Sequence, residues 1–255
     1  MYVIYNLEET VKYMDIIIGS LNDFLNEIKR IQASLKVDEG NITRPFYYRG
    51  QNKVFDELKP SIGRLGCSLL DYENDMISEF KRLKPNEFIS LKNDFDMIAK
   101  MQHYGLKTRL LDITENPLIA LFFACQDSND DNGEVFIIYP DIVHNSTDDM
   151  TIMFSSFYNL GAVFPRQIDD LIYQLEKSLL LRGVRREGYQ NEEIEFYYKQ
   201  IISNNNEPIC VLPSIESERE ARQKAAFLLF PNMINEDNKF PHNNQFESEI
   251  INYKK

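Results

Sequence analysis

The residues best suited to chemistry in this 255-residue chain are concentrated in one segment, MQHYGLKTRLLDITENPLIALFFAC, which spans Met101 to Cys125. Asp112 stands there between two large aliphatic residues. A buried carboxylate must be paired or hydrogen-bonded, because moving its charge out of water is expensive. Arg109 is the nearest candidate partner in sequence. Two interpretations follow: a ligand-binding site, or a purely structural polar cluster of Arg109, Asp112 and Thr114.

A second candidate is the arginine that follows the aromatic run Phe46–Tyr48 in the string FYYRGQ. The guanidinium of Arg49 offers a planar fork of donors for phosphate or carboxylate. Gly50 lets the backbone approach a ligand closely. The alternative is that Arg49 caps a strand or pairs with Asp112 inside the fold.

Three predicted elements position the central segment. A helix is expected over Asn93–His103 and is stopped by Gly105. A short buried strand is expected over Thr108–Thr114, and a further helix has Pro117 in its first turn. The apolar positions of that last helix recur at three- and four-residue steps and are expected to face the core; they are Leu118, Leu121, Phe122 and Cys125.

The remaining elements give the fold class. Ser20 with Asp23 resembles a capping box that opens a helix, and Leu58–Arg64 is a loop by its Pro and Gly. The other expected elements are a helix at Leu69–Leu83 and strands at Phe46–Tyr48 (halted by Arg49-Gly50-Gln51), Glu134–Tyr139, Ile209–Leu212 and Ala225–Phe230. Because helices do not alternate regularly with strands, we expect a single α+β domain over residues 1–255.

The region 140–206 is more polar than its surroundings. Helices are expected at Gln167–Leu181 and Asn191–Ile202. We interpret the region as a helical insertion or cap that covers the site.

Composition limits the class of protein. With 43% apolar and 27% charged residues the chain is globular. No apolar run approaches the ~18 residues needed to cross a bilayer, and the first residues lack the basic flank of a signal peptide, so we expect a cytoplasmic protein. Because the three cysteines and three histidines are dispersed along the sequence, we expect no disulfide framework and no metal site. A formal charge of −12 argues against general nucleic-acid binding, although a local basic pocket remains compatible with it.

Four motifs resemble the FRG domain family, named for its Phe-Arg-Gly signature. They are FYYRGQ, LKPSIGR, QHYGLKTRLLDITENPLIALFFA and the pattern from Arg219 through Gln223 to Phe227. Tyr48 occupies the first position of the signature. The chain is identified on these motifs as a member of that family.

More distantly, the pattern resembles ADP-ribosyltransferases, in which an aromatic strand ends in Arg-Gly and a second strand leads into a helix that closes with Phe-Ala. The resemblance implies a split β-sheet and an enzyme that acts on NAD, either a transferase or an NAD glycohydrolase, in the setting of a toxin or a phage-defence effector. Arg49 would approach the NAD phosphates or ribose, and Thr108–Thr114 would line the nicotinamide side. Cleavage of the nicotinamide–ribose bond passes through an oxocarbenium-like state that a carboxylate stabilises.

The third motif departs from the transferase pattern. By motif order, Gln223 stands where those enzymes usually carry a glutamate. Either Glu220 or Asp112 then supplies the carboxylate, or the protein binds a nucleotide without performing transfer.

The expected partners are a nucleotide ligand and a protein acceptor or regulator, with no membrane. The alternatives are a non-catalytic nucleotide-sensing module and a protein-interaction domain. The expected catalytic residues are Arg49, Asp112, Gln223 and Glu220. The expected ligand contacts are Tyr48, Gly50, Gln51, Arg64, Gln102, His103, Tyr104, Thr108, Arg109, Thr114 and Arg219.

Overall fold

The computed structural model of the chain describes residues 2–6, 18–37, 44–53, 58–64, 69–89, 91, 93–126, 132–156, 158, 208–214 and 225–230. The strands of this part are β1 Tyr2–Asn6, β2 Tyr47–Gln51, β3 Leu110–Thr114, β4 Glu134–Tyr139, β5 Val143–Asn145, β6 Ile209–Leu212 and β7 Ala225–Leu229. Its helices are α1 Leu21–Val37, α2 Glu73–Leu83, α3 Pro85–Phe88, α4 Asp94–His103, α5 Pro117–Ala124 and α6 Asp149–Ser155, with short 3-10 turns at Ser61–Gly63 and Leu70–Tyr72.

The described strands form one seven-stranded sheet in the order β1-β4-β2-β3-β7-β6-β5. The pairs β1–β4 and β5–β6 are parallel, and the other four are antiparallel. Five positions pair between β2 and β4, and five between β3 and β7. Only Tyr48 and Thr114 pair between β2 and β3. The predicted α+β class is confirmed, and the sheet is weakly joined at its middle.

The two faces of the sheet are covered differently. Side chains alternate between the faces of a strand, so Leu111 and Ile113 of β3 lie on one face and Asp112 on the other. Leu58 and Ile62, from the loop before α2, pack on the first face together with Tyr47. We call this the loop face. Helices α4 and α6 pack on one half of the opposite face, and α1 and α5 on the other. We call it the helix face.

Local signals set the helix ends, and the predicted cap at Ser20 and stop at Gly105 are confirmed. The Oγ atom of Ser20 accepts the N–H of Asp23 at 3.1 Å before α1, and Asn93 Oδ1 accepts the N–H of Asp96 at 2.7 Å before α4. Helix α4 ends at His103, and Gly105, two residues later, has a φ of 95° that favours glycine.

Helix α5 packs unusually close to the sheet. A Cβ atom at Gly50 would lie 1.7 Å from the backbone oxygen of Ala120, and one at Gly133 would lie 2.1 Å from that of Ala124. Ala120 and Ala124 are both buried. Gly50 is therefore required by the packing of β2 against α5.

This contact corrects the prediction for the apolar face of α5. Leu118 and Phe122 were expected in the core, but they are 46% and 62% exposed, Phe123 is 49% exposed, and Cys125 is also exposed. Leu121 is partly buried against the core. The helix turns its small residues to the sheet, because only they allow its backbone to approach the glycines.

The structure corrects some of the other predicted elements, and some lie outside the described residues. Strand β2 continues through Arg49-Gly50-Gln51 instead of stopping there. Strands β1 and β5 and helix α6 were not predicted. The start of the supposed cap belongs to the main body, since β5 pairs with β6 and Met150 and Phe154 of α6 lie in the core. The helices expected at 167–181 and 191–202 lie outside the described residues. Within the described ranges, no helix is long and apolar enough to span a membrane.

Candidate functional site

The candidate site lies where β2 and β3 share only the pair Tyr48 and Thr114 and are not paired along the rest of their length. We call this place the opening. The side chain of Arg49 reaches across this opening. Its Nη1 atom donates to the backbone carbonyl oxygen of Asp112 at 2.6 Å. A side chain therefore makes the connection that a strand hydrogen bond would otherwise make.

The Arg49 guanidinium has one N–H group without a hydrogen-bond acceptor. Its Nε atom is buried and has no hydrogen-bond partner in the structure. Burial lowers the pKa of Arg49 to about 10, the Asp112 carboxylate partly offsets this by raising the pKa, and the positive charge of Arg64 lowers it further. Arg49 therefore carries a buried positive charge with one N–H group that lacks an acceptor, and the charge of Arg64 acts on it, which is an arrangement suited to an anion.

Arg64 comes from the predicted loop Leu58–Arg64. The loop packs on the loop face through Leu58 and Ile62, and alternation places the Arg49 side chain on that face with Tyr47. The Nε atom of Arg64 donates to the carbonyl of Lys59 at 3.4 Å, and the side chain is exposed. The loop thus carries an exposed cation, Arg64, whose charge adds to the effect of burial in lowering the pKa of Arg49.

Asp112 was expected to be buried, and this is wrong: it is exposed. The period of two along β3 buries Leu111 and Ile113 on the loop face and turns Asp112 to the helix face, beside the end of α4. Its Oδ2 atom accepts the Nε2–H of Gln102 at 2.9 Å. Gln102 Oε1 in turn accepts the hydroxyl of Thr108.

Arg109 does not pair with Asp112, which corrects a second prediction. It is fully buried and forms a two-pronged ion pair with Glu73 of α2, with Nε at 3.0 Å from Oε1 and Nη2 bound to Oε2. Its Nη1 atom donates to the carbonyl of Phe230 at 3.2 Å. Arg109 joins α2 to the start of β3 and the end of β7. This ion pair is not the predicted polar cluster of Arg109 with Asp112.

Comparison with protein families supports the predicted relationship. The model of the FRG domain matches residues 44–133. We call residues 44–133 the FRG domain, after the family model that they match. No curated protein and no solved structure matches the chain.

The FRG domain contains most of the candidate site. Arg49, Arg64, Gln102, Thr108 and Asp112 all lie within the matched residues. The sheet, however, is completed by strands outside the domain: β1 precedes it, and β4, β5, β6 and β7 follow it. The late motif from Arg219 to Phe227 also lies beyond the match.

Two tyrosines of the FRG domain make contacts away from the opening. The Tyr48 side chain is buried between the sheet and α1, where its hydroxyl accepts from Gln32 Nε2 at 2.6 Å and burial raises its pKa. Tyr104 is exposed and donates to Glu87 Oε2 at 2.9 Å, which raises the pKa of Tyr104. His103 is exposed beside it.

A buried carboxylate in β4 was not predicted. Glu134 lies opposite Gln51 in the register of β2 and β4, and Gln51 Nε2 donates to its Oε1 at 3.2 Å. Both residues are buried, and alternation places Gln51 on the same face as Arg49. Only the strand pairing reveals this contact, because 83 residues separate the two in sequence.

The remaining predicted residues divide into two groups. Thr114 is buried, and its Oγ1 accepts the N–H of Asn116 before α5. Arg219, Glu220 and Gln223 lie outside the described residues. The described strand that follows them, β7, begins at Ala225 opposite Thr114.

A separate cavity of about 410 Å³ lies between α2, α3 and α4. Its lining includes Lys81, Phe88, Asp94 and Met97 and shares no residue with the opening. Among the described residues, no group of three or more His, Cys, Asp or Glu side chains is arranged to hold a metal ion.

Proposed function

We propose that the chain is an NAD-directed enzyme, an ADP-ribosyltransferase or an NAD glycohydrolase, whose substrate enters the opening between β2 and β3. One observation carries the proposal: where two central strands separate, Arg49, which has an N–H group without a partner, binds the backbone carbonyl of Asp112, and the exposed carboxylate of Asp112 lies on the helix face. The substrate would extend through the opening from the arginines on the loop face to this carboxylate. The single pairing between β2 and β3 also supports the split β-sheet expected from the resemblance to ADP-ribosyltransferases.

Arg49 and Arg64 account for binding in this proposal. A pyrophosphate has the charge and geometry that guanidinium groups recognise, and such hydrogen bonds are about twice as strong as neutral ones. An anion in the opening would also offset the cost of burying Arg49. Arg64, which is exposed, would complete the contact from the loop face.

Asp112 accounts for the chemistry. When the bond between nicotinamide and C1 of the ribose breaks, its electron pair goes to the nicotinamide nitrogen and neutralises the pyridinium. Positive charge develops on the ribosyl C1 and ring oxygen, where a carboxylate stabilises it. In a glycohydrolase, water then adds to C1 of the ribose and loses a proton. In a transferase, a nucleophilic group of a protein acceptor adds to C1 and loses a proton. The proposal needs no metal.

The direct test is incubation of the purified full-length chain with NAD, with nicotinamide measured by chromatography. We expect time-dependent release of nicotinamide and loss of NAD. Intact NAD after prolonged incubation at high enzyme concentration, with and without added protein acceptors, would overturn the enzymatic proposal.

Titration calorimetry with NAD and ADP-ribose separates the alternatives. Binding without turnover would indicate a nucleotide-sensing module, and the absence of binding would indicate a protein-interaction domain. The toxin or phage-defence setting predicts that expression in the cytoplasm of a bacterial host lowers cellular NAD and arrests growth. Growth and NAD levels equal to those of an empty-vector control would contradict that setting.

A further inference from the structure

We infer that Thr108 is a positioning residue for the carboxylate of Asp112 and acts through the side-chain amide of Gln102. The inference rests on the proposed function for what Asp112 does, but not for how Asp112 is held. Thr108 lies before β3 and Gln102 in the last turn of α4, so the contact joins the two elements.

The orientation of the Gln102 amide follows from its two neighbours. One end of the amide faces Asp112 Oδ2 at 2.9 Å, and the other faces the Thr108 hydroxyl. An ionised carboxylate only accepts hydrogen bonds, so an amide oxygen facing it would place two acceptors together. The nitrogen must therefore face Asp112 and the oxygen must face Thr108.

Thr108 holds the amide in this orientation. The threonine is buried, and its Oγ1 atom already accepts the N–H of Leu110 at 3.2 Å. Its hydroxyl proton therefore needs an acceptor of its own, since a buried donor without one costs about 1–3 kcal/mol. Gln102 Oε1 is that acceptor. A flipped amide would leave the hydroxyl proton without it.

Asp112 is consequently held at two points. Arg49 binds its backbone carbonyl and Gln102 binds its Oδ2 atom. No described residue donates to its other carboxylate oxygen, Oδ1. Because Asp112 is exposed, Oδ1 is, in the proposed reaction, the oxygen that meets the developing positive charge of the substrate.

The test compares Thr108→Val, which keeps the shape and removes the hydroxyl, with Thr108→Ser, which keeps the hydroxyl. We expect Thr108→Val to lower kcat for nicotinamide release by about tenfold or more, because small misplacements of a reacting group are costly, while KM for NAD changes by less than about threefold. Thr108→Ser should restore most of kcat. Equal kcat in wild type and Thr108→Val would overturn the inference.

A readout that does not need activity keeps the inference separate from the proposed function. In ¹⁵N-labelled protein, the side-chain NH₂ resonances of Gln102 should move in Thr108→Val and stay near their wild-type positions in Thr108→Ser. Unmoved resonances in Thr108→Val would show that Thr108 does not hold the amide.

If Thr108→Val does not fold, Gln102→Glu places a carboxylate against Asp112, and kcat should again fall. Unchanged kcat in that variant would overturn the inference. If the wild type has no activity, the proposed function fails, while the spectra still decide whether Thr108 positions Gln102.

Discussion

Replacement of Arg109 with methionine should be among the most destabilising single changes in the FRG domain. The substitution leaves the Glu73 carboxylate buried without its cation, since the two side chains are 1% and 4% exposed. Breaking a buried ion pair by removing one partner costs about 3–5 kcal/mol. The carbonyl of Phe230 loses its donor as well.

The control is Arg49→Met. The pKa of Arg49 is lowered chiefly by burial, so the folded protein holds this charge at a cost, and its removal leaves no buried carboxylate without a partner. We expect Arg49→Met to change the free energy of unfolding by less than about 1 kcal/mol. The two substitutions therefore distinguish an arginine that stabilises the fold, Arg109, from one proposed to recognise the ligand, Arg49.

Urea denaturation at pH 7 measures both variants. For a chain of this size, a loss of about 3–5 kcal/mol should lower the melting temperature by about 6–20 °C. The double variant Arg109→Met with Glu73→Leu should recover most of the loss, since an apolar pair often replaces a buried ion pair without penalty. A cost below about 1 kcal/mol for Arg109→Met alone, or no recovery in the double variant, would refute this reasoning.

Three further outcomes are expected. Gly50→Ala should destabilise the fold by about 3 kcal/mol or more in urea denaturation, because its Cβ would lie 1.7 Å from a backbone oxygen of α5. The control Gly19→Ala, which has open space around it, should change the free energy of unfolding by less than about 0.5 kcal/mol. Equal effects of the two substitutions would contradict the close packing of α5 on β2. In native labelling with a thiol reagent at pH 8, exposed Cys125 should react well before Cys210, whose pKa burial raises to about 12; peptide mapping that finds Cys210 first would be inconsistent with the core. Partial burial lowers the pKa of His144 from its ordinary value, and Asp148 offsets part of this effect. The unfolded chain therefore takes up this proton first as the pH falls, and wild type should lose more stability between pH 7 and 5 than His144→Asn. Parallel stability curves for the two proteins would contradict this lowered pKa.

The sequence predicted the elements whose signals are local. The stop at Gly105 and the proline at the start of α5 placed α4, β3 and α5 correctly, because caps, turns and periodicity act within a few residues. The candidate pair of Arg49 and Asp112 was also named from sequence. The structure brings them together through a backbone carbonyl instead of an ion pair between side chains.

The errors concern distant partners. Arg109 was assigned to Asp112 because the two are close in sequence, yet its partner Glu73 lies 36 residues away on α2. The exposure of Phe122 depends on the approach of α5 to glycines in another part of the sheet, which periodicity within the helix does not encode. The exposure of Asp112 could have been predicted from the sequence, because its two apolar neighbours on β3 already imply that Asp112 lies on the opposite face of the strand.

The rate of nicotinamide release by Asp112→Asn, measured beside wild type and Glu79→Gln, tests the proposed enzyme most directly. Asparagine keeps the size of Asp112 and removes its charge, while Glu79 is an exposed carboxylate of α2 paired with Arg82. We expect a rate at least about a hundredfold below wild type for Asp112→Asn, because a group that stabilises transition-state charge is lost, and an unchanged rate for Glu79→Gln. A wild-type rate in Asp112→Asn would show that the Asp112 carboxylate does not stabilise the transition state.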